Sequence, residues 1–227
     1  MSWFTQTLSS TLGRKLLMAI TGLFLIVFLL VHMSGNMLLL KGDEGEAFNL
    51  YAKFMTTNTL IRVSSIILYS AIIAHVVWSI MLTRKNQTAR PVKYAYEKAS
   101  TNSSWSSRNM GILGTIILLF LVAHMRSFWY EMHWGEIGTK MYDGEEVKDL
   151  YSVVVAAFSE WWYVAIYIVS LCFLAFHLAH GFQSAFQSLG LNHKKYTPLI
   201  KTLGLLYSII IPILFALQPI YVLLFKA

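Results

Sequence analysis

LLMAITGLFLIVFLLVHMSGNMLLL, residues 16–40, decides the fold. The stretch carries no Asp, Glu, Lys or Arg, and its one ionisable side chain is His32 near the far end. A helix needs about 20 apolar residues to cross roughly 30 Å of hydrocarbon, and this run is long enough. The apolar core of a cleaved signal spans only about 7–15 residues before a small-x-small cleavage site. This run is longer and lacks such a site, so it reads as a retained span.

Four further runs repeat the pattern: Ile61–Leu82, Met110–Trp129, Trp161–Ala185 and Ile200–Phe225. Of the 227 residues, 56% are hydrophobic and 13% are charged, where a soluble domain carries roughly 25% charged residues. Little chain is left for a separate soluble domain. The expected fold is therefore an all-α membrane protein, a single domain over residues 1–227 with five transmembrane helices, the first four forming a bundle. Pro212 and Pro219 lie seven residues apart in the fifth run, nearly on one face, and are expected to kink it. Ser100–Ser107 is polar and reads as the cap of the third helix.

Charge gives the orientation. Eleven of the eighteen basic residues fall on one side: Arg14 and Lys15 before the first run, Arg84, Lys85, Arg90, Lys93, Lys98 and Arg108 between the second and third, and Lys194, Lys195 and Lys201 between the fourth and fifth. The opposite side holds Asp43, Glu44 and Glu46, and then Glu131, Glu136, Asp143, Glu145, Glu146, Asp149 and Glu160. Basic residues favour the cytoplasmic face, which puts the N-terminus inside and the C-terminus outside. Because the basic residues are split among short loops beside membrane helices, they read as anchoring and docking charge rather than as a nucleic-acid surface. Trp105 on one side and Trp129, Trp134, Trp161 and Trp162 on the other suit an interfacial belt.

The chemistry lies in histidine. His133 and His193 fall in loops, whereas His32, His75, His124, His177 and His180 lie inside the spans, where an ionisable side chain is costly and faces the bundle interior or a function. Their depth follows from the rise of about 1.5 Å per residue. His32 and His124 each lie about 6 Å outside the midplane of their outward-running helices. His75 and His177, on inward-running helices, lie about 5–6 Å inside it. The four therefore sort into an outer pair, His32 with His124, and an inner pair, His75 with His177.

Two imidazoles facing each other across a bundle suit the iron of a b-type haem. The single cysteine, Cys172, excludes an internal disulfide, a Cys–His zinc cluster, an iron–sulfur cluster held by this chain alone and a CxxCH haem linkage. Any haem must then be bound without a covalent link. Zinc fits less well, since it takes three or four protein ligands. A proton relay would want carboxylates in the spans, which have none. A haem-free transporter would want polar pathway residues or broken helices in matched halves. Gly22, Gly35, Gly111, Gly114 and Gly181 would let a macrocycle approach the backbone, although helix packing alone also uses such residues. His180, three residues past His177, is a candidate contact to the inner haem or its propionates. Arg126, two past His124, is a candidate propionate partner or a side chain snorkelling to the interface.

These residues also resemble a family. Gly13-Arg14-Lys15, Val31-His32-Met33, Ala74-His75, Ala123-His124 and Phe176-His177-Leu178-Ala179-His180-Gly181-Phe182 are similar to motifs of the cytochrome b membrane anchor of succinate dehydrogenase and fumarate reductase, in its single-subunit, five-helix, two-haem form. The last stretch resembles the family's His-x-x-x-Gly pattern, which favours His177 over His180 as the ligand. The resemblance implies two haem b groups, a flavoprotein and an iron–sulfur subunit docked on the cytoplasmic side, and a membrane quinone, menaquinone in five-helix relatives. It implies electron transfer between succinate and quinone, in either direction, by a subunit that does not itself bind the dicarboxylate. The basic inner loops and the absence of a transit peptide favour a bacterial inner membrane. A di-haem cytochrome b anchor of a hydrogenase or formate dehydrogenase shares the same logic. No quinone residue is named: Glu46 and Asn49 read as solvated loop residues, and Glu131 and Trp129 are ambiguous.

Overall fold

In a computed structural model, residues 2–89, 101 and 103–226 are described. Arg90, Lys93, Lys98 and part of the Ser100–Ser107 cap lie outside them. The chain is a multi-pass membrane protein: five helices are long and apolar enough to span a bilayer. They are α2 (Thr11–Asn36, continued by a 3₁₀ turn Met37–Leu40), α4 (Thr59–Thr88), α5 (Trp105–His124), α8 (Trp161–Ser188) and α9 (Thr197–Phe225). A short α1 (Trp3–Ser9) precedes them.

The first three spans start where a polar side chain takes up orphan amides. Ser10 accepts from Gly13 N, Asn58 from Leu60 and Ile61 N, and Ser104 from Ser107 N. The second and third spans overrun their apolar runs at both ends and the others at one end, because a helix does not stop at the edge of hydrocarbon while caps and interfacial residues continue it. The third span changes character after His124. Met125–Trp129 forms a π turn, and α6 (Tyr130–Trp134) carries the helix on. α9 runs as one unbroken helix through Pro212 and Pro219, and both prolines are buried in its packing face with Gly204, Ser208, Ile211, Gln218 and Val222.

Packing sets up a ring. α2 lies against α4 and α8, α5 against α8 and α4, and α9 against α8 and α2. That leaves α2 diagonal to α5, and α4 diagonal to α8. At the end of the bundle nearest the N-terminus, termed inner after the charge reading and opposite the end termed outer, Lys85 at the foot of α4 donates to Thr11 Oγ1 at the start of α2. At the outer end an apolar cluster of Leu39, Phe48, Val154, Phe158, Val164, Tyr167 and Val222 joins the spans to the connecting elements.

Those outer connections are folded, which corrects the reading of Asn49 as a solvated loop residue, while Glu46 stays exposed at the start of a helix rather than in a loop. Glu46 opens the amphipathic helix α3 (Glu46–Thr57), and Asn49 within it is wholly buried. The acidic segment after α6 forms a hairpin, β1 (Thr139–Tyr142) and β2 (Glu145–Lys148), then α7 (Leu150–Phe158). Asp143 and Gly144, both at positive φ, make the hairpin's tight two-residue turn. Asn49 ties the three parts together. Its Nδ2 donates to Tyr142 OH at 3.1 Å and to Asp149 Oδ1 at 2.8 Å, and its Oδ1 accepts from Tyr151 N at 2.8 Å. Lys140 Nζ lies 3.3 Å from Asp149 Oδ2, and Lys53 Nζ lies 2.7 Å from Glu145. The result is a polar cap over the outer end of the bundle.

Candidate haem-binding site

The bundle brings the four intramembrane histidines together in twos. His32 on α2 faces His124 on α5, with ring centroids 5.7 Å apart and planes at 89°. His75 on α4 faces His177 on α8, with centroids 6.4 Å apart and planes at 58°. Each pair bridges a diagonal of the ring. An iron about 2 Å from each of two facing ring nitrogens would leave the centroids about 6 Å apart, and both pairs lie close to that spacing.

The two levels are linked by a shared register. A Cβ added at Gly22 on α2 would lie 3.4 Å from His75 Cε1, and one at Gly114 on α5 would lie 3.9 Å from His177 Cε1. Gly22 precedes His32 by ten residues, and Gly114 precedes His124 by ten. Helices α2 and α5 therefore each offer glycine at the inner level and histidine at the outer one, about 15 Å further along the axis. The other expected glycines have other surroundings. Gly35 sits against the ring of Tyr51 on α3, Gly111 lies beside Thr83, and nothing lies within 4 Å of the position a Cβ would take at Gly181.

Ring nitrogens show which faces are free for a metal. His75 Nδ1 lies 3.1 Å from Thr21 Oγ1. The Thr21 hydroxyl donates back to Leu17 O at 2.8 Å, the usual bond of a helical threonine. Toward His75 it therefore presents a lone pair, so His75 Nδ1 donates and Nε2 keeps its own lone pair. His124 Nδ1 lies 3.0 Å from Tyr167 OH, which is 3.3 Å from Tyr163 OH. His177 Nδ1 is buried without a hydrogen-bond partner. A polar atom left so costs roughly 1–3 kcal/mol. His32 is the exception, since its Nε2 accepts from Asn36 Nδ2 at 3.2 Å. Iron ligation by that nitrogen requires the Asn36 amide to give way or the ring to turn.

These features fit a haem: facing imidazoles at both levels and, at the inner level, an unpartnered buried ring nitrogen and a glycine cradle. Among the described residues no group of three or more His, Cys, Asp or Glu gathers to hold a metal ion, so the donors meet as pairs. His180 lies on the same helix three residues beyond His177 and is half-buried. Arg126 is held elsewhere: it pairs with Glu131, its guanidinium lies 4.4 Å over the Tyr130 ring, and its side chain is 64% exposed. Trp129 turns inward and donates to Tyr69 OH at 2.7 Å, while Trp105, Trp134, Trp161 and Trp162 are exposed as an interfacial belt requires.

Sequence reasoning missed Thr21, Asn36 and Tyr167, the polar neighbours of the histidines. The repeated ten-residue step from glycine to histidine in the first and third spans was the signal available for the register. No family model, curated protein or solved structure matches this chain.

Proposed function

We propose that this chain is the membrane anchor and electron-transfer subunit of a succinate:quinone oxidoreductase, holding two haem b groups between a docked iron–sulfur subunit and a membrane quinone. The observation that carries the reading is the meeting of four histidines from four spans as two diagonal pairs at two depths. A haem b at each level supplies reversible one-electron exchange.

The residues of the chain do the rest. His75 and His177 hold the inner group, and His32 and His124 the outer one. Gly22 and Gly114 leave room for a macrocycle edge at the inner level. The apolar spans keep water from both levels. His180 and Arg126 remain the candidates for contacts at the haem periphery, Arg126 by exchanging Glu131 for a propionate. Two levels roughly 11–15 Å apart divide a hydrocarbon layer of about 30 Å into shorter electron steps. The basic inner segments, with Arg14, Lys15, Arg84, Lys85, Arg108, Lys194, Lys195 and Lys201, form the face for the iron–sulfur and flavoprotein subunits. The basic side is cytoplasmic, which places the N-terminus inside a bacterial inner membrane. Menaquinone is the acceptor or donor of the five-helix form.

The test is a reduced-minus-oxidised spectrum with a pyridine haemochrome count on the purified chain. About two b haems per polypeptide, with a flavoprotein and an iron–sulfur protein co-purifying from the native membrane, supports the reading. Two haems with a hydrogenase or formate dehydrogenase instead keeps the relay and overturns the succinate assignment. No haem overturns both.

A further inference from the structure

The two ligands proposed at the inner level are not equivalent. Thr21 immediately precedes Gly22, and its hydroxyl meets His75 Nδ1 at 3.1 Å. On the related helix the residue preceding Gly114 is Leu113, wholly buried and without a polar atom to offer. His177 Nδ1, beside Gly114, is the buried ring nitrogen left without a partner. The same register thus places a hydroxyl at one ligand and a hydrocarbon side chain at the other.

We infer that Thr21 is a positioning residue which fixes the tautomer of His75 and sets the redox balance of the inner haem. The inference rests on the haem reading above. The direction of the hydrogen bond decides the effect. The Thr21 hydrogen is committed to the carbonyl of Leu17 at 2.8 Å, with Met18 O at 3.1 Å as its alternative. Thr21 Oγ1 therefore accepts from His75 Nδ1. A ring that donates from Nδ1 has Nε2 bare and is the more basic ligand for it. A more basic ligand favours the more positive iron, so Thr21 biases the inner couple toward the ferric state. His177 receives no such help, and the bias comes from the α2 side alone. Gly22 lies beside the same ring, where an added Cβ would come into van der Waals contact with His75 Cε1 at 3.4 Å.

The experiment uses the whole purified chain with its haems as expressed. Haem count comes first, then a potentiometric titration followed optically and by low-temperature electron paramagnetic resonance. The inner couple is the one that disappears in His75→Ala. In Thr21→Val, the expected result is two haems and an inner couple that loses ferric preference about tenfold, an upward shift of about 59 mV for one electron. The inner low-spin signal changes, the outer couple stays, and Thr21→Ser restores both values. If Thr21→Val loses the inner haem while Thr21→Ser keeps it at the parent potential, the hydroxyl is again the agent and the inference stands. It is overturned if Thr21→Val leaves the inner couple in place, moves both couples equally, or shares loss of the inner haem with Thr21→Ser. A parent chain without haem overturns the parent reading, and the initial count separates that failure from a failure of Thr21.

Discussion

Replacing Asn49 by leucine tests whether the outer cap is an integral part of the fold. Asn49 is wholly buried and satisfies three groups from three elements: Tyr142 OH, the Asp149 carboxylate and Tyr151 N. Leucine has the same number of side-chain heavy atoms and the same branching, so no cavity opens. Two neutral hydrogen bonds at about 1 kcal/mol each and one to a charged group at about 2 kcal/mol make the cost about 4 kcal/mol. At roughly 2–4 °C per kcal/mol for a chain of this size, the melting temperature in detergent falls by about 8–16 °C. The loss also depends on pH. Burial pushes the Asp149 carboxyl up, but hydrogen bonds from Ser152 and Asn49, with Lys140 nearby, outweigh it and hold the group below its ordinary value. A carboxyl depressed in this way stabilises the fold above its unfolded value of about 3.9, and that contribution is lost as pH falls through the folded value. Part of it depends on Asn49, so the difference in melting temperature between parent and variant narrows below about pH 4. Scanning calorimetry or dye-based melting from pH 7 to pH 3 reads both effects. A drop under about 2 °C, or a difference constant across that range, refutes the reasoning.

Four further outcomes follow from the site. His75→Ala or His177→Ala removes the inner haem and leaves the outer one, by haemochrome count; loss of the outer haem from either substitution breaks the pairing. Tyr167→Phe keeps both haems, removes the 3.0 Å contact to His124, and shifts the outer couple by about 40 mV if that bond contributes about 1 kcal/mol. Gly114→Leu fills the space beside His177 and lowers inner haem content, whereas Gly181→Leu, where a Cβ meets nothing within 4 Å, leaves it unchanged; equal losses from both would point to general misfolding. Leu113→Thr supplies the hydroxyl that His177 lacks and moves the inner couple downward in a redox titration, opposite to Thr21→Val.

The spans were legible because their signal is strong and repeated. Five apolar runs in one chain argue against a soluble fold, where a single run could be a buried core helix, and the antiparallel order of the helices then ranks four histidines by depth from their positions. Both expected pairs are in ring contact. The outer cap was not legible in the same way. Asn49 is a lone polar residue between Phe48 and Leu50 in the first acidic connection, and only the fold carries it between Tyr142, Asp149 and Tyr151. The hairpin did leave a trace in Asp143-Gly144, a dipeptide suited to a tight turn, but in a membrane chain the loops drew less attention than the spans. Arg126 illustrates the limit of spacing. Two residues past His124 suggested the haem side, yet Glu131 and Tyr130 lie within reach on the next turn and hold the guanidinium.

The π turn at Met125–Trp129 begins at the residue after His124. An i→i+5 turn takes up one residue more than the helix around it, and each residue of an α-helix corresponds to about 100° of rotation. Everything beyond the turn is therefore offset from the ligand face by roughly a quarter of a revolution. The turn acts as a vernier between two gears: on one side the helix is indexed to the histidine pairs, and on the other to the cap, where Lys148 grips Met132 O and Gly135 O. Each half is thus free to drift in sequence without detuning the other. Deleting a single residue from the turn would mesh the gears again, swinging either the imidazole or the cap out of place.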